Sequence, residues 1–252
     1  MLQQTQVARC LLKYPEFLKK FPTVETLAKA PLSEILKVWQ GMGYNRRALA
    51  LKRMAEKVMT EFNGKIPHER HALESLPGVG SYTAGAVRAF AFNEPEIFIE
   101  TNIRRVFIHH FFSLGCFAPK LKSWLGNPTS KSLGSETPKL VSDREILAII
   151  EVTLDRSRPR EWYWALMDYG AQLPKVTEVN SSTQSKHYVK QSTFKGSLRE
   201  LRGKIIRALS KKPEDLVALK RACDNDKRTE EALDALIKDK LVKYEKRKYQ
   251  LA

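Results

Sequence analysis

The chain has 252 residues, enough for one large domain or two modest ones with ample core. Its 44 Lys and Arg against 28 Asp and Glu give a formal charge of +16, a balance that points to a polyanionic partner, nucleic acid ahead of an anionic membrane surface. No apolar run approaches the length of a membrane span and no signal-peptide pattern opens the sequence; the three cysteines, Cys10, Cys116 and Cys223, offer neither a disulfide framework nor metal-ligand spacing and fit a reducing cytosol.

Helical periodicity dominates residues 1–112. Val7, Leu11, Leu12 and Phe17-Leu18 form one apolar stripe. Leu27, Leu32, Ile35, Leu36 and Trp39 form a second, and Leu49, Leu51, Met54, Val58 and Met59 a third. Pro15, Phe21-Pro22-Thr23, Ala30-Pro31-Leu32-Ser33 and Gly41-Met42-Gly43 punctuate them, with helix starts at Thr23 and Ser33. The pattern predicts a stack of short helices; a strand at Glu96–Ile99 is too short to build on. His109-His110, on an aromatic-rich helix, reads as structural rather than as a metal site.

The most informative stretch is Leu76-Pro77-Gly78-Val79-Gly80-Ser81-Tyr82-Thr83-Ala84-Gly85-Ala86. Pro77, Gly78 and Gly80 mark a turn between a helix ending near Ala72–Ser75 and another opening at Thr83. Two glycines one residue apart let the backbone bend sharply and approach a ligand closely. The amides that follow sit at a helix N-terminus, which favours an anion. In so basic a chain that anion is the DNA phosphate, contacted by Pro77, Gly78, Val79, Gly80 and Ser81. An ordinary structural corner is the alternative.

Residues 113–141 break the pattern with Gly, Pro and Ser and read as an irregular insertion, with one helical turn near Leu121–Leu125. Helices resume at Asp143–Leu154 and Glu161–Gly170. Residues 174–196 are polar and basic and read as a linker or extended crossing segment. From Ser197, three apolar-periodic segments and an alternating Leu241–Leu251 pair around Glu245-Lys246-Arg247 give the order of a winged helix; a helical cap for protein contacts is the alternative. The expected architecture is all-α, in two helical subdomains followed by a small basic C-terminal domain. Its bounds are 1–175, a linker at 176–196, and 197–252.

Four motifs together make the chain resemble the helix-hairpin-helix DNA glycosylases, and among them the adenine DNA glycosylases of the MutY type. They are Met1-Leu2-Gln3-Gln4-Thr5-Gln6-Val7, Trp39-Gln40-Gly41-Met42-Gly43-Tyr44, the hairpin, and Ala165-Leu166-Met167-Asp168-Tyr169-Gly170-Ala171. The match covers roughly residues 1–112 and 143–172. It implies a monofunctional base-excision enzyme acting on double-stranded DNA with a mispaired or damaged base. It further implies a monomer, cytoplasmic or nucleoid-associated.

The resemblance also assigns roles. Glu100 stands where the superfamily carries a catalytic aspartate, at the mouth of the base pocket. Its charge is suited to an oxocarbenium-like sugar; a surface helix cap is the alternative. Asn102 matches a pocket asparagine, and Arg104 and Arg105 are phosphate contacts or a solvated face. Tyr82 takes the place of the lysine that forms a Schiff base in endonuclease III-type relatives, which favours water as nucleophile. Gln4 and Tyr44 match residues that wedge into the base stack, with Gln3 beside them.

Three departures qualify it. The glutamate that protonates adenine lies, in the family, two residues before the position of Met1. The expected cause is a truncated or misassigned start, with a degenerate enzyme as the alternative. The four cluster cysteines are absent after Ala171, where Gln172-Leu173-Pro174-Lys175 follows, so no iron–sulfur cofactor and no metal are expected. An 8-oxoguanine-reading domain is not recognisable. Excision of adenine opposite 8-oxoguanine or guanine therefore leads. Excision of another base, such as thymine in T·G, and non-catalytic lesion binding are the alternatives.

Overall fold

The computed structural model describes residues 1–113, 140–177, 180–190 and 192–252. The expected irregular insertion, its helical turn and Cys116 lie almost wholly outside the described residues. Two units emerge from the packing: Met1–Pro67 with Ser75–Gly78 and Gln191–Ala252, and His68–Glu74 with Val79–Lys190. Among the described residues no helix is long and apolar enough to cross a membrane. The all-α expectation holds, with a two-stranded hairpin as the small sheet.

The first unit opens with α1 (Val7–Lys20), α2 (Val24–Lys29), α3 (Leu32–Val38) and α4 (Arg46–Glu61). Thr23 caps α2 through a reciprocal pair with Thr26, as its sequence position suggested. α3 begins at Leu32, behind Pro31 rather than at Ser33. The second stripe is buried as expected, with Ile35, Leu36 and Trp39 at 1 % exposure or less. Burying an aliphatic side chain of that size stabilises by about 1.5–3 kcal/mol. α1 departs from expectation. Cys10 and Phe17 face the core, while Val7, Leu11, Leu12 and Leu18 are exposed. Cys10 and Phe17 are seven residues apart and so share a face, a spacing outweighed in the sequence by the more numerous leucines.

The C-terminal part supplies α10 (Leu198–Leu209), α11 (Leu216–Ala222), α12 (Thr229–Lys238), β1 (Val242–Glu245) and β2 (Lys248–Leu251). This is the expected order of three helices and a hairpin. The strands pair antiparallel, Val242 opposite Leu251, around Lys246-Arg247. Both turn residues have positive φ, 49° and 62°, the backbone that a two-residue hairpin demands. Leu201, Ile205, Leu209, Leu236, Leu241 and Leu251 join Phe17, Ile35 and Trp39 in one continuous apolar core. Asp239 pairs with both Arg202 of α10 and Arg46 of α4.

The second unit holds α5 (Arg70–Glu74), α6 (Ser81–Phe92), α7 (Thr101–Phe107), α8 (Asp143–Thr153) and α9 (Pro159–Thr177). α7 runs on into a π-helical turn, Ile108–Ser113. Residues 93–100 between α6 and α7 are irregular, so no strand forms at Glu96–Ile99. Its core gathers Ala89, Phe98, Ile103, Phe107, Ile146, Ile150 and Tyr163. Ser142 and Glu145 form a capping box at α8. α9 extends seven residues past the expected Gly170. A short 3-10 turn, Ser181–Gln184, follows, and Ser181, Ser182 and Ser185 are buried there. Val141 and Ser185 pair backbone to backbone. His109 and His110 meet Ser181 and Tyr169 respectively, in keeping with a structural role.

Candidate active site and nucleic-acid interface

Glu100 lies at the N-cap of α7 with extended backbone, and its Oε1 accepts the Ile103 N–H at 2.8 Å. It is a helix cap, as the alternative reading had it, and it is half-buried. Partial burial pushes its carboxyl above the ordinary glutamate value. The Ile103 and Asn102 amides, then Arg104 and Arg105, pull the other way. The Tyr82 hydroxyl is likewise raised, first by burial and then by the Glu100 charge, which places the two within electrostatic reach. Tyr82 is in the first turn of α6, 39 % exposed, with its ring 5.8 Å from that of Phe98.

What aims Glu100 is the irregular segment before it. The Tyr163 hydroxyl donates to the Glu96 carbonyl at 2.7 Å and accepts from the Phe98 N–H at 3.4 Å. Its ring stacks on Phe98 at 4.0 Å, and burial drives its own pKa to about 12. Glu96 in turn pairs with Arg70 and Arg88, and Arg70 donates to Ser81 at 2.6 Å. The hairpin end of α6 and the approach to α7 therefore share one ionic network. Neither Tyr163 nor Arg70 was singled out by the sequence. The signal for Tyr163 is only that an aromatic run precedes the Ala165–Ala171 motif.

Asn102 accepts from Arg105 at 3.0 Å, and Arg105 also donates to the Gly170 carbonyl at 2.6 Å and to Ser182. A Cβ on Gly170 would come within 2.7 Å of the Asn102 carbonyl carbon, so this glycine lets α9 lie against the start of α7. Arg104 is held by Asp143 through two bonds of 2.7 and 2.8 Å. A cavity of about 210 Å³ lies beside these residues, lined by Thr101, Arg104, Arg105, Ser182 and His187 among others; neither Tyr82 nor Glu100 lines it. Among the described residues no group of three or more His, Cys, Asp and Glu is placed to hold a metal ion.

In the hairpin, the two glycines do different things. Gly78 has φ +79°, and a Cβ there would meet the Ala50 Cβ at 2.7 Å. Gly80, the N-cap of α6, has ordinary extended backbone, and a Cβ there would meet nothing within 4 Å. Gly80 supplies no side-chain cap to α6, and the positive end of the helix dipole lies there. α6 opens at Ser81, two residues before the expected Thr83.

The wedge candidates lie in the first unit, on two loops of strained backbone. Gln3 and Gln4 are exposed, and Gln4 has φ 54°. Residues 2–5 form a turn, and the helix starts only at Val7. Gly41, Gly43 and Tyr44 have φ 86°, 69° and 46°, three left-handed residues in four. Such backbone is costly for a tyrosine and persists where surroundings enforce it. Arg47 provides that enforcement. Its guanidinium donates to the carbonyls of Met1, Gln3, Met42 and Gly43 and to the Thr5 hydroxyl, and it lies 5.4 and 5.7 Å from the Trp39 and Tyr44 rings. One side chain ties both loops together, and no sequence motif announces it.

Residues 1–120 match the family model described as HhH-GPD superfamily base excision DNA repair protein. Adenine DNA glycosylase of Buchnera aphidicola is 40% identical over 111 residues, 44% of this chain and 32% of that protein. The human adenine DNA glycosylase is 31% identical over 172 residues, 68% of this chain and 28% of that protein. The chain thus spans under a third of the length of these relatives. A solved thermostable thymine-DNA glycosylase superposes with a TM-score of 0.53 at 27% identity, covering 68% of this chain and 69% of the other.

Proposed function

We propose that this chain, which belongs to the HhH-GPD superfamily of base excision DNA repair proteins, hydrolyses the N-glycosidic bond of adenine mispaired with 8-oxoguanine or guanine in duplex DNA. The observation that carries the reading is Glu100. It is fixed by the α7 amide, partly desolvated, and within electrostatic reach of a tyrosine where a Schiff-base lysine would nick the strand. As the glycosidic bond breaks, its electron pair leaves with the base. Positive charge develops on the sugar, opposite the Glu100 carboxylate; water adds to the sugar carbon, and the proton it releases is balanced, through solvent, by the one taken up on the nitrogen of the departed base. Tyr82 lies against that sugar, and Asn102 borders the pocket. The α6 amides behind Gly80 hold a backbone phosphate. Tyr44 and Gln4 fill the gap left by the extruded base, which costs a few kcal/mol of unstacking. We read the enzyme as clusterless, because Gln172–Lys175 supplies no thiolates.

A second reading, thymine excision from T·G, is favoured by the resemblance to the thymine-DNA glycosylase structure. Single-turnover base release from A·8-oxoguanine, A·G and T·G duplexes separates the two. The assay is run on the chain itself and on a version extended N-terminally by a glutamate two positions before Met1. Adenine release in either protein, lowered about 10²–10³-fold by Glu100→Gln, is the expected result. Thymine release alone would replace the first reading with the second. Duplex binding with no release from any substrate in either protein would leave a lesion-binding protein.

A further inference from the structure

Tyr44 is gripped by a residue 155 positions away in the chain. Nη1 of Arg199, in the first turn of α10, donates to the Tyr44 hydroxyl oxygen at 2.7 Å. The guanidinium carbon lies 5.7 Å from the ring centroid, the same distance as that of Arg47. Arg199 is itself anchored, since Nη2 donates to the Ser192 carbonyl at 2.7 Å and to its hydroxyl at 3.2 Å. α10 is fixed to the N-terminal helices by the shared core and by Asp239 between Arg202 and Arg46. The tyrosine therefore does not swing on its glycine-flanked turn. Its backbone is set from below by Arg47 and its hydroxyl end by Arg199.

We propose that Arg199 is a positioning residue for base extrusion, by which the C-terminal part presets the Tyr44 ring before DNA arrives. This rests on the reading of Tyr44 as the residue that fills the base stack. A ring that must find its orientation during binding loses rotamer freedom at that moment, whereas one already held loses less. Cation–ring and charge-assisted contacts are of the size to hold it. The arrangement gives the small C-terminal part a task at the lesion without its touching the lesion.

The experiment uses the full chain and a duplex carrying 2-aminopurine, whose fluorescence rises on unstacking, in place of the target adenine. Extrusion rate at saturating protein, affinity for undamaged duplex and melting temperature are read for Arg199→Ala, Arg199→Lys, Tyr44→Phe, Tyr44→Ala and the Arg199→Ala/Tyr44→Phe pair. The expected result is extrusion slowed about ten-fold in Arg199→Ala and in Tyr44→Phe, with no further loss in the pair, as for two partners of one contact. Arg199→Lys falls between, because an ammonium cannot serve Tyr44 and Ser192 in one plane. Affinity for undamaged duplex changes little in Arg199→Ala and Arg199→Lys. Full-speed extrusion in Arg199→Ala, faster extrusion, or additive losses in the pair would each overturn the proposal. If Tyr44→Ala extrudes like the wild type, the wedge reading itself falls and takes the proposal with it; that outcome is recognisable because it involves Tyr44 alone.

Discussion

At Glu100 two demands meet in one side chain. It caps α7, and on the proposed mechanism it would be ionised to face a cationic sugar, yet its partial burial favours the protonated form. The excision rate is therefore expected to fall, as pH drops, through a pKa above the ordinary glutamate value of 4.5. A single-turnover pH profile checks this, and an acid limb at or below 4.5 would show that the pocket does not desolvate Glu100. The stability consequence has the opposite sense. A carboxyl whose folded pKa is raised favours folding below its unfolded pKa, and that contribution is lost as pH rises through the folded value. Glu100→Gln keeps an oxygen for the Ile103 amide and removes the charge, so it is expected to melt higher than wild type at neutral pH while losing activity. The hairpin glycines make a second pair of expectations. Gly80→Asp should leave the melting temperature near wild type, because its Cβ meets nothing, but sharply weaken duplex binding through a charge of the wrong sign. Gly78→Ala should lower the melting temperature, since it strains a left-handed residue and crowds Ala50. Normal duplex affinity in Gly80→Asp would reduce the hairpin to a corner.

At the scale of elements, small residues decide how closely the helices approach. Gly85 of α6 leaves room for Phe98, where an added Cβ would come within 2.8 Å of the Phe98 Cβ, and Gly170 of α9 leaves room for the backbone of Asn102. Overpacking of this kind typically costs about 1–3 kcal/mol, and at Gly170 the strain would be delivered to the start of α7. Gly170→Ala is thus expected to lower both melting temperature and excision rate; an unchanged rate would mean that the α7 cap tolerates the shift. Helices of this kind were legible in the sequence where caps and stripes agreed, as at Thr23 and along Leu27–Trp39, and the glycine of the Ala165–Ala171 motif was visible though not its reason. The inward face of α1 was not legible, because periodicity finds stripes without saying which is covered. The buried serines of residues 181–185 were hidden by their polar composition. Arg47, Tyr163 and Arg199 act through partners 46, 67 and 155 residues away, and no local pattern encodes such contacts.

At the scale of the whole molecule, the proposed function raises the question of which of the 44 cations would meet DNA. Net charge alone predicts that duplex affinity falls steeply with salt, with log K linear in log salt at a slope of about −0.9 per phosphate neutralised. The ion pairs sharpen this. Arg104 stands at a position expected to touch phosphate, but its fork is filled by Asp143, whose carboxyl it holds below the ordinary aspartate value against the cost of burial. Replacing it with Gln should therefore reduce stability above the unfolded Asp143 pKa, an effect that fades as pH falls and Asp143 protonates. It should leave the salt slope for undamaged duplex unchanged, because no phosphate contact is lost. A slope shallower by about 1 would mean that Arg104 abandons Asp143 for the DNA backbone. The paired titrations of melting temperature against pH and of affinity against salt thus sort this arginine between scaffold and interface, and the same pair of measurements applies to each cation held by an acid in the fold.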